Sequence, residues 1–567
     1  MSTSNEEKKT VTEALELITT CRRSVGERID KYKTINKLYE TGSVKTDHSL
    51  INRMYGHIDR LAGHIFCPEH IRFAVDFEHF YPKVVLDRAN VAARILSKKW
   101  QYHNIDVKFG LCVAEALKYG CCFLKQYYIP GQEGKGRFRC RIVEPWAIGV
   151  YKEDETSLQD QPAFCESVYL SLPQVWQRIA HLPNADLLYR RIKGHMTNVS
   201  DDDVTNPITR NLFISSRIDI ASQAPNNIPG GIINLGPYED MPYLTSTAPI
   251  PMVLFHELWQ WGGSDWITTQ IIEPDILITR YKKGNILVPG DNATGLHPYT
   301  LVQPEETVGN IWGRSALIDI INPQMMLTSF ANDIMKMLQL QIDKVVALIG
   351  IEGDPQEIMS QMKMSGFVNL GPGGDIKDLT PPLPADALPI LKYLNELIDS
   401  LGGFTPVLGG QGESGVRAGS HAEVLLKTAS PRIRDMSLKT ERQCAKAAEL
   451  CLDLMRIKDD NYYWIDGEHY EETKFKLIDI PDDFSVSVDS HSSSAIFADD
   501  HQQLVAFGIK TGMIDPISAV ELLPYPNKDL IIERLKEHQK QQQIQAEMLR
   551  RQDPEQWAKM MSHSGKK

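Results

Sequence analysis

The spacing Gly410-x-Gly412-x-x-Gly415 is the one by which a glycine-rich turn sets a dinucleotide pyrophosphate on a helix N-terminus. That chemistry needs a buried strand ahead of the first glycine and a βαβ unit around it. Here a long loop precedes the motif, so no cofactor site is expected. His256-Glu257 opens like the zinc-protease motif, but Gln260 stands where the second histidine ligand belongs. Gly412-Glu413-Ser414-Gly415 is one spacer short of the nucleophile elbow of a hydrolase. No G-x-x-x-x-G-K followed by Ser or Thr occurs, which removes the phosphate cradle of an ATPase. His421, in the first turn of a helix near Glu423, reads as a surface or interface histidine rather than a general base. The sixteen histidines do not cluster with cysteines at ligand spacing, and the nine cysteines contain no C-x-x-C. Buried, reduced thiols are the expectation. Neither catalytic residues, metal nor cofactor are anticipated, and the chain reads as a non-enzyme.

The elements that would carry these residues change in rhythm along the chain. Apolar residues at helical spacing predict helices over Val11–Leu38, Ser49–Ile65, Lys83–Trp100 and Phe109–Tyr119, the last stopped by Gly120. Cys122–Ile129 and Arg137–Val143 alternate around a Gly-rich turn and predict a β-hairpin. Strands at Ala147–Tyr151, Phe164–Leu170, Met252–Trp261 and Trp266–Tyr281 and a helix at Leu172–His195 follow. The Asn-, Pro- and Gly-rich stretch Asp201–Pro251 reads as a surface excursion. From Gly313 to Ile342 one long helical pattern runs, with Pro323 either kinking it or marking its true start. Short strands are expected at Val345–Ile351, Phe367–Leu370 and Ile376–Leu379, with a small helix from Gln356 to Met364. A second helix spans Ala385–Leu401. Five glycines fall in Phe404–Gly419, and Ser420 with Glu423 forms a capping box opening a helix to about Arg456, bent at Pro431. Strands at Tyr462–Ile465, Lys474–Ile480 and Phe484–Val488 precede a helical tail that ends over Asp529–Arg551.

At 567 residues the chain is too long for one ordinary core, and about three to five structural units are expected. Composition is globular, with 42% apolar and 24% charged residues. The formal net charge of -12 argues against an outer surface that grips nucleic acid, since such grip is mostly Lys and Arg neutralising phosphates. No run approaches the roughly 18 consecutive apolar residues of a spanning helix, and the first residues lack an apolar signal core. No membrane partner is expected.

The order of elements over residues 308–455 resembles the portal (head-to-tail connector) proteins of tailed bacteriophages: long helix, small β unit, second helix, Gly-rich loop, long Pro-bent helix. The segments that carry the likeness are GNIWGRSALIDIINPQMMLTSFANDIMKMLQLQIDKVVALI, SGFVNLGPGGDIKDLTPP, LPILKYLNELIDSLGG and VLGGQGESGVRAGSHAEVLLKTASPRIR. The tail segment LVAFGIKTGMIDPISAVELLP is similar to the crown of that family, so the likeness spans nearly the whole chain. It rests on element order and texture, because the family has no catalytic signature.

The resemblance implies an α+β, mainly helical portal fold assembling as a ring around a central channel. Residues 1–312 correspond to the wing, 313–343 to a first stem helix, 344–383 to the clip and 384–402 to a second stem helix. Residues 403–419 correspond to the tunnel loop, 420–497 to the kinked helix with wing strands, and 498–567 to the crown and C-terminal helix. It also implies a homo-oligomer, usually a dodecamer, at one capsid vertex of the virion. Through it double-stranded DNA is packaged by the terminase and later ejected. Major capsid and scaffold proteins, the terminase large subunit and head-completion, adaptor or tail proteins are the implied partners.

By position, Leu408, Gly410, Gln411, Gly412, Gly415 and Arg417 are the candidate DNA-channel residues of the tunnel loop. Lys336 and Lys392 are candidate channel cations on the stem, against the plainer reading of a solvated face or an inter-subunit ion pair. Glu352, Asp354, Gln356 and Glu357 are candidates for terminase or adaptor contact at the clip tip. An acidic channel wall would let the DNA polyanion slide, with a few cations to centre it. Stem residues Leu394, Leu397, Ile398 and Leu401 would need partners on two sides, which neighbouring subunits would supply. The short clip strands are expected to pair between subunits. A minor head or adaptor protein without a DNA channel is the alternative, and a nuclease or motor subunit a second one.

Overall fold

The computed structural model describes residues 5–43, 51–68, 71–129, 137–180, 182–195, 197–198, 251–263, 265–281, 297–342, 346–349, 375–379, 384–404, 431–465 and 474–488, with single residues such as Gln356 and parts of 505–541. They form a mixed α/β protein. The N-terminal helices are α1 (Asn5–Cys21), α2 (Val25–Thr41) and α3 (Met54–Ile65), followed by strand β1 (Phe73–Phe77), α4 (Lys83–Tyr102) and α5 (Ile105–Tyr119). The single helix expected over Val11–Leu38 is therefore two, separated at Arg22–Ser24. Cys21 and Arg22 there turn inward, with Arg22 donating to the carbonyls of Trp146 and Ala147. Gly120 ends α5 at φ 103°, and a Cβ there would lie 2.5 Å from the Trp312 carbonyl. Both conformation and space demand glycine at that position.

The hairpin β2 (Cys122–Ile129) and β3 (Arg137–Val143) matches its expected bounds. Next come β4 (Ile148–Val150), β5 (Ala163–Ser171), α6 (Leu172–Ile179), α7 (Ala185–Gly194), β6 (Thr197–Asn198), β7 (Pro251–Trp261), β8 (Trp266–Ile272), β9 (Ile276–Tyr281) and β10 (Tyr299–Val302). The helix expected over 172–195 is broken between α6 and α7. The strand expected over 266–281 turns at Glu273–Asp275, so β8 and β9 pair antiparallel.

One antiparallel sheet has the order β4-β5-β7-β8-β9, with β6 against the start of β7, and a second has the order β10-β2-β3. Helices α6 and α7 bury Val175, Ile179, Leu188 and Ile192 on one side of the larger sheet. Helix α1 buries Val11, Ala14 and Ile18 against Cys165, Leu258 and Ile271 of the same sheet. Aromatic residues Phe123, Phe164, Trp259, Trp266 and Tyr299 join the two sheets.

Helix α8 spans Ile321–Ile342, eight residues later than the pattern from Gly313 suggested. Pro323 is the reason: it lacks an N–H and is tolerated only in a first turn, so it marks the start and does not kink the middle. Strand β11 (Val346–Ile349) pairs antiparallel with β12 (Asp375–Asp378) of the same chain, so one edge of β11 is satisfied without a neighbour. Phe367–Leu370 lies outside the described residues. Helices α9 (Ala387–Leu401) and α10 (Pro431–Lys458) follow, then β13 (Tyr462–Trp464), β14 (Lys474–Lys476), a 3-10 turn at Leu477–Asp479, β15 (Phe484–Val488) and α11 (Pro516–Leu522). Pro431 is the first described residue of α10, and the expected helical stretch from Ser420 lies outside them. So does nearly all of the helix expected over Asp529–Arg551.

Helix α10 is the axis of the main core. Ile433, Met436, Thr440, Cys444, Ala447, Cys451, Leu454 and Met455 recur at threes and fours, and all are buried. The residues of this core run from Val25 to Val486, taking in α2 to α5, the start of α8 and the end of α9. Gln443 of α10 completes the end of β10. Its side-chain carbonyl accepts from Gln303 N (2.8 Å), and its amide donates to Gln303 O (2.9 Å).

Candidate functional site

Helices α8 and α9 pack together, and their anchors fix how they run. At the start of α8, the Gln324 amide donates to Ile51 O (2.7 Å) and its carbonyl accepts from Arg53 N (3.2 Å). Thr328 one turn on donates to Gly42 O (2.9 Å). At the end of α9, Asp399 accepts from Arg53 (2.6 Å) and from Arg60 (2.9 Å) of α3. Arg53 thus touches the start of one helix and the end of the other. The pair is antiparallel, with its base on α3 and its tip at the paired strands β11 and β12.

Burial thins towards the tip. In α8 the buried residues are Pro323, Gln324, Leu327, Thr328, Ala331 and Ile334, none after Ile334, although Met325 and Met326 near its start are exposed. Towards the tip Met335, Leu338, Leu340 and Ile342 are exposed, as are Leu388, Ile390 and Tyr393 of α9. In α9 Ala387, Leu394 and Ile398 are buried, the last two joining the main core at the base, while Leu401 is exposed. Fully burying an exposed Leu or Ile side chain is worth about 1.5–3 kcal/mol, and these partly exposed ones leave a share of that unrealised. Clustered apolar exposure of this kind is a common mark of a contact surface.

Of the sequence candidates, Lys336 and Lys392 fall on this helix pair. Lys336 and Lys392 are exposed, and each pairs on its own helix at 3.7 Å, Lys336 with Asp333 and Lys392 with Glu396. Gln356 is helical and exposed. Glu352, Asp354 and Glu357 lie outside the described residues, as do Leu408, Gly410, Gln411, Gly412, Gly415 and Arg417.

Two buried polar clusters escaped the sequence reading. Between the sheets, Lys125 reaches Glu166 (2.8 Å) and Glu257 (2.7 Å), the Tyr299 hydroxyl lies 2.6 Å from Glu166 and 3.1 Å from Glu257 with one proton to share between them, and Arg141 pairs with Glu166. Glu166 and Glu257 are direct cross-strand neighbours, a like-charge pairing that costs stability unless cations answer it. Burial opposes ionisation of Glu257, but Lys125 and Arg178 outweigh it and bring its pKa down to about 2. Burial lowers Lys125 to about 8, with Glu257 resisting the fall. At neutral pH Lys125 and Glu257 are therefore ionised and paired with each other. Charged residues inside the apolar strands FCESVYL and VLFHELW were the available signal.

The second cluster has the members of a nucleophilic triad. Ser167 Oγ lies 2.8 Å from His256 Nδ1, and His256 Nε2 lies 2.9 Å from Glu273. Its polarity is wrong for attack: Ser167 is 2% exposed, whereas the Glu273 side chain is 46% exposed. Solvent reaches the acid and not the hydroxyl, so the arrangement serves as a buried polar rung between β5 and β7. The Gln260 position that spoiled the zinc motif is in the same strand, where residues 256 and 260 are four apart on a ladder and not one helical turn apart. Among the described residues no group of three or more His, Cys, Asp or Glu is placed to hold a metal ion. No helix among them is long and apolar enough to cross a membrane. Neither a protein-family model nor a curated protein matches this chain.

Proposed function

We propose that this chain is a portal-type subunit: copies assemble side by side into a ring around a channel, at one vertex of a viral capsid, through which double-stranded DNA passes. The observation that carries this reading is the helix pair α8–α9, pinned at its base and apolar at an open tip. A single chain gains nothing by leaving Leu338, Ile342, Leu388 and Tyr393 in water, whereas a ring covers each pair with its neighbours. Head-to-tail contacts of this kind close when the rotation per copy divides the circle. Strands β11 and β12 pair with each other within the chain, and a neighbouring copy could extend this small sheet. The net charge of -12 per chain fits a wall along which a polyanion slides without being held. In this reading the terminase motor and the head-completion or tail proteins dock at the clip, and the protein hydrolyses nothing.

Negative-stain images and mass measurement of the purified full-length protein test it. Rings with a central hole are expected. Leu338→Asp and Ile390→Asp should return folded, ring-deficient protein. Wild-type protein that stays monomeric across concentration and ionic strength overturns the reading.

A further inference from the structure

The base of the helix pair contains an imidazole without a partner. His57, on α3 between the two arginines that hold Asp399, is 1% exposed, and neither ring nitrogen has a hydrogen-bond partner among the described residues. Its ring stands edge-on to Phe404 at 5.1 Å. Its edge also meets the backbone of Gly402 so closely that a Cβ at Gly402 would fall inside the imidazole. Gly402 has ordinary helical φ, so space alone demands glycine there.

The groups facing this ring are mostly cations. From α3 come Arg53 and Arg60, the latter also lying over Phe404 at 4.6 Å. From α10 comes Arg432, which donates to the Leu401 carbonyl (3.3 Å) and pairs with Glu305 (2.9 Å) and Asp319 (3.4 Å). Asp399 is the anion supplied by α9, and His64, 6.0 Å from Phe404, is the other imidazole nearby. Arg432 has its own two carboxylates, so Arg53 and Arg60 share one. A proton on His57 adds a third positive charge to a site with a single negative one, in a space with no acceptor for its N–H groups.

We propose that His57 is an acid-sensitive latch: neutral, it seals the joint between α3, the end of α9 and the start of α10, and protonated, it forces that joint open. Burial first, and then Arg60, push its pKa down to about 4, in keeping with a closed site that rejects the proton. A group whose folded pKa is depressed in this way favours the neutral, closed form above 6.5 and the open form progressively as pH falls towards 4. The latch belongs to the single chain and stands whether or not copies assemble.

The test is hydrogen exchange by mass spectrometry on the full chain at pH 7 and pH 4, corrected for the intrinsic pH dependence of exchange. Protection of peptides covering residues 54–65 and 394–404 should fall about tenfold or more at pH 4 in wild type. His57→Phe, which keeps the contact with Phe404 and cannot take a proton, should retain its protection at this joint. His57→Leu carries the same test if the larger ring does not fit. A wild-type joint that stays closed at pH 4, or a His57→Phe or His57→Leu protein that opens as wild type does, overturns the proposal.

Discussion

The base and the tip of the α8–α9 pair are made from similar helices and meet opposite fates. At the base, Leu327, Leu394 and Ile398 enter the main core, and Gln324, Thr328 and Asp399 each find partners on the helical body. At the tip, Leu338, Ile342 and Leu388 stay partly or largely exposed, and Lys336 and Lys392 pair along their own helices. The lesson is that amphipathicity alone did not set the boundary. The polar pins did, by deciding which half of each helix is held against the body and which projects beyond it.

Cavity formation separates the two ends most sharply. Ile398→Ala at the base should cost about 2–5 kcal/mol of unfolding free energy, since its site is fully enclosed. Ile390→Ala at the tip, 41% exposed, should cost under about 0.5 kcal/mol in a single chain. Urea unfolding of the two variants under conditions that keep copies apart measures the contrast. Equal losses would mean that the tip is already buried.

The next effect comes from the sheets, whose buried groups make the reference against which the joint at α3 is judged. His297 sits among Phe164, Trp266 and Tyr299, and burial brings its pKa down to about 4. On unfolding it returns to the ordinary range near 6.5, so the unfolded chain takes the proton first. Its contribution is complete above pH 6.5 and is lost as pH falls towards 4. Glu257 has the same sign over a lower window, from 4.5 towards 2. Acid should therefore cost about 1–3 kcal/mol through His297, read as the slope of stability against pH between 6.5 and 4. His297→Phe should flatten that part of the slope while leaving any response of the α3 joint in place.

Gln324 gives a third, comparable loss. Replacing it by Leu removes one acceptor and one donor and strands Arg53 N and Ile51 O, for about 1–3 kcal/mol. If Gln324 is the pin described above, exchange protection should drop across 51–54 and the first turns of α8 while the tip is unaffected.

How much of this could be read along the chain depends on how far apart the partners lie. The hairpin β2–β3, strand β15 and the end of α9 at Leu401 matched because alternation, a Gly-rich turn and Gly402-Gly403 are local signals. The true start of α8 was legible in Pro323, one of the two readings that residue allowed. The base was not. Arg53 and Asp399 are separated by 346 positions, and nothing local to either marks it as half of an ion pair. The Lys125 cluster was half legible, because a Lys or Glu inside an apolar strand has to be answered by an opposite charge. Which charge answers it is a fact of sheet order, set by β5 pairing with β7 across a long connection. Leu394, Leu397, Ile398 and Leu401 were visible as apolar residues needing cover on two sides; the core of the chain itself buries Leu394 and Ile398, while Leu401 stays exposed, and the exposed apolar residues nearer the tip carried no separate signal.

The smallest effects should come from the two stem lysines, and they sharpen the comparison for that reason. Lys336 and Lys392 are exposed and each faces a carboxylate on its own helix, so their ion pairs are weak, salt-screened contacts of about 0.2–0.5 kcal/mol. Lys336→Ala and Lys392→Ala should leave the melting temperature of a single chain within a degree or so, because no buried partner is stranded. In an assembled ring the same substitutions act on whatever passes the helices, since removing a cation from every copy changes the channel field while leaving each fold untouched. A change in DNA passage without a change in chain stability assigns the lysines to the channel. A change in ring stability, with DNA passage per ring unaltered, assigns them to the contact between copies. No change in either makes them a solvated face.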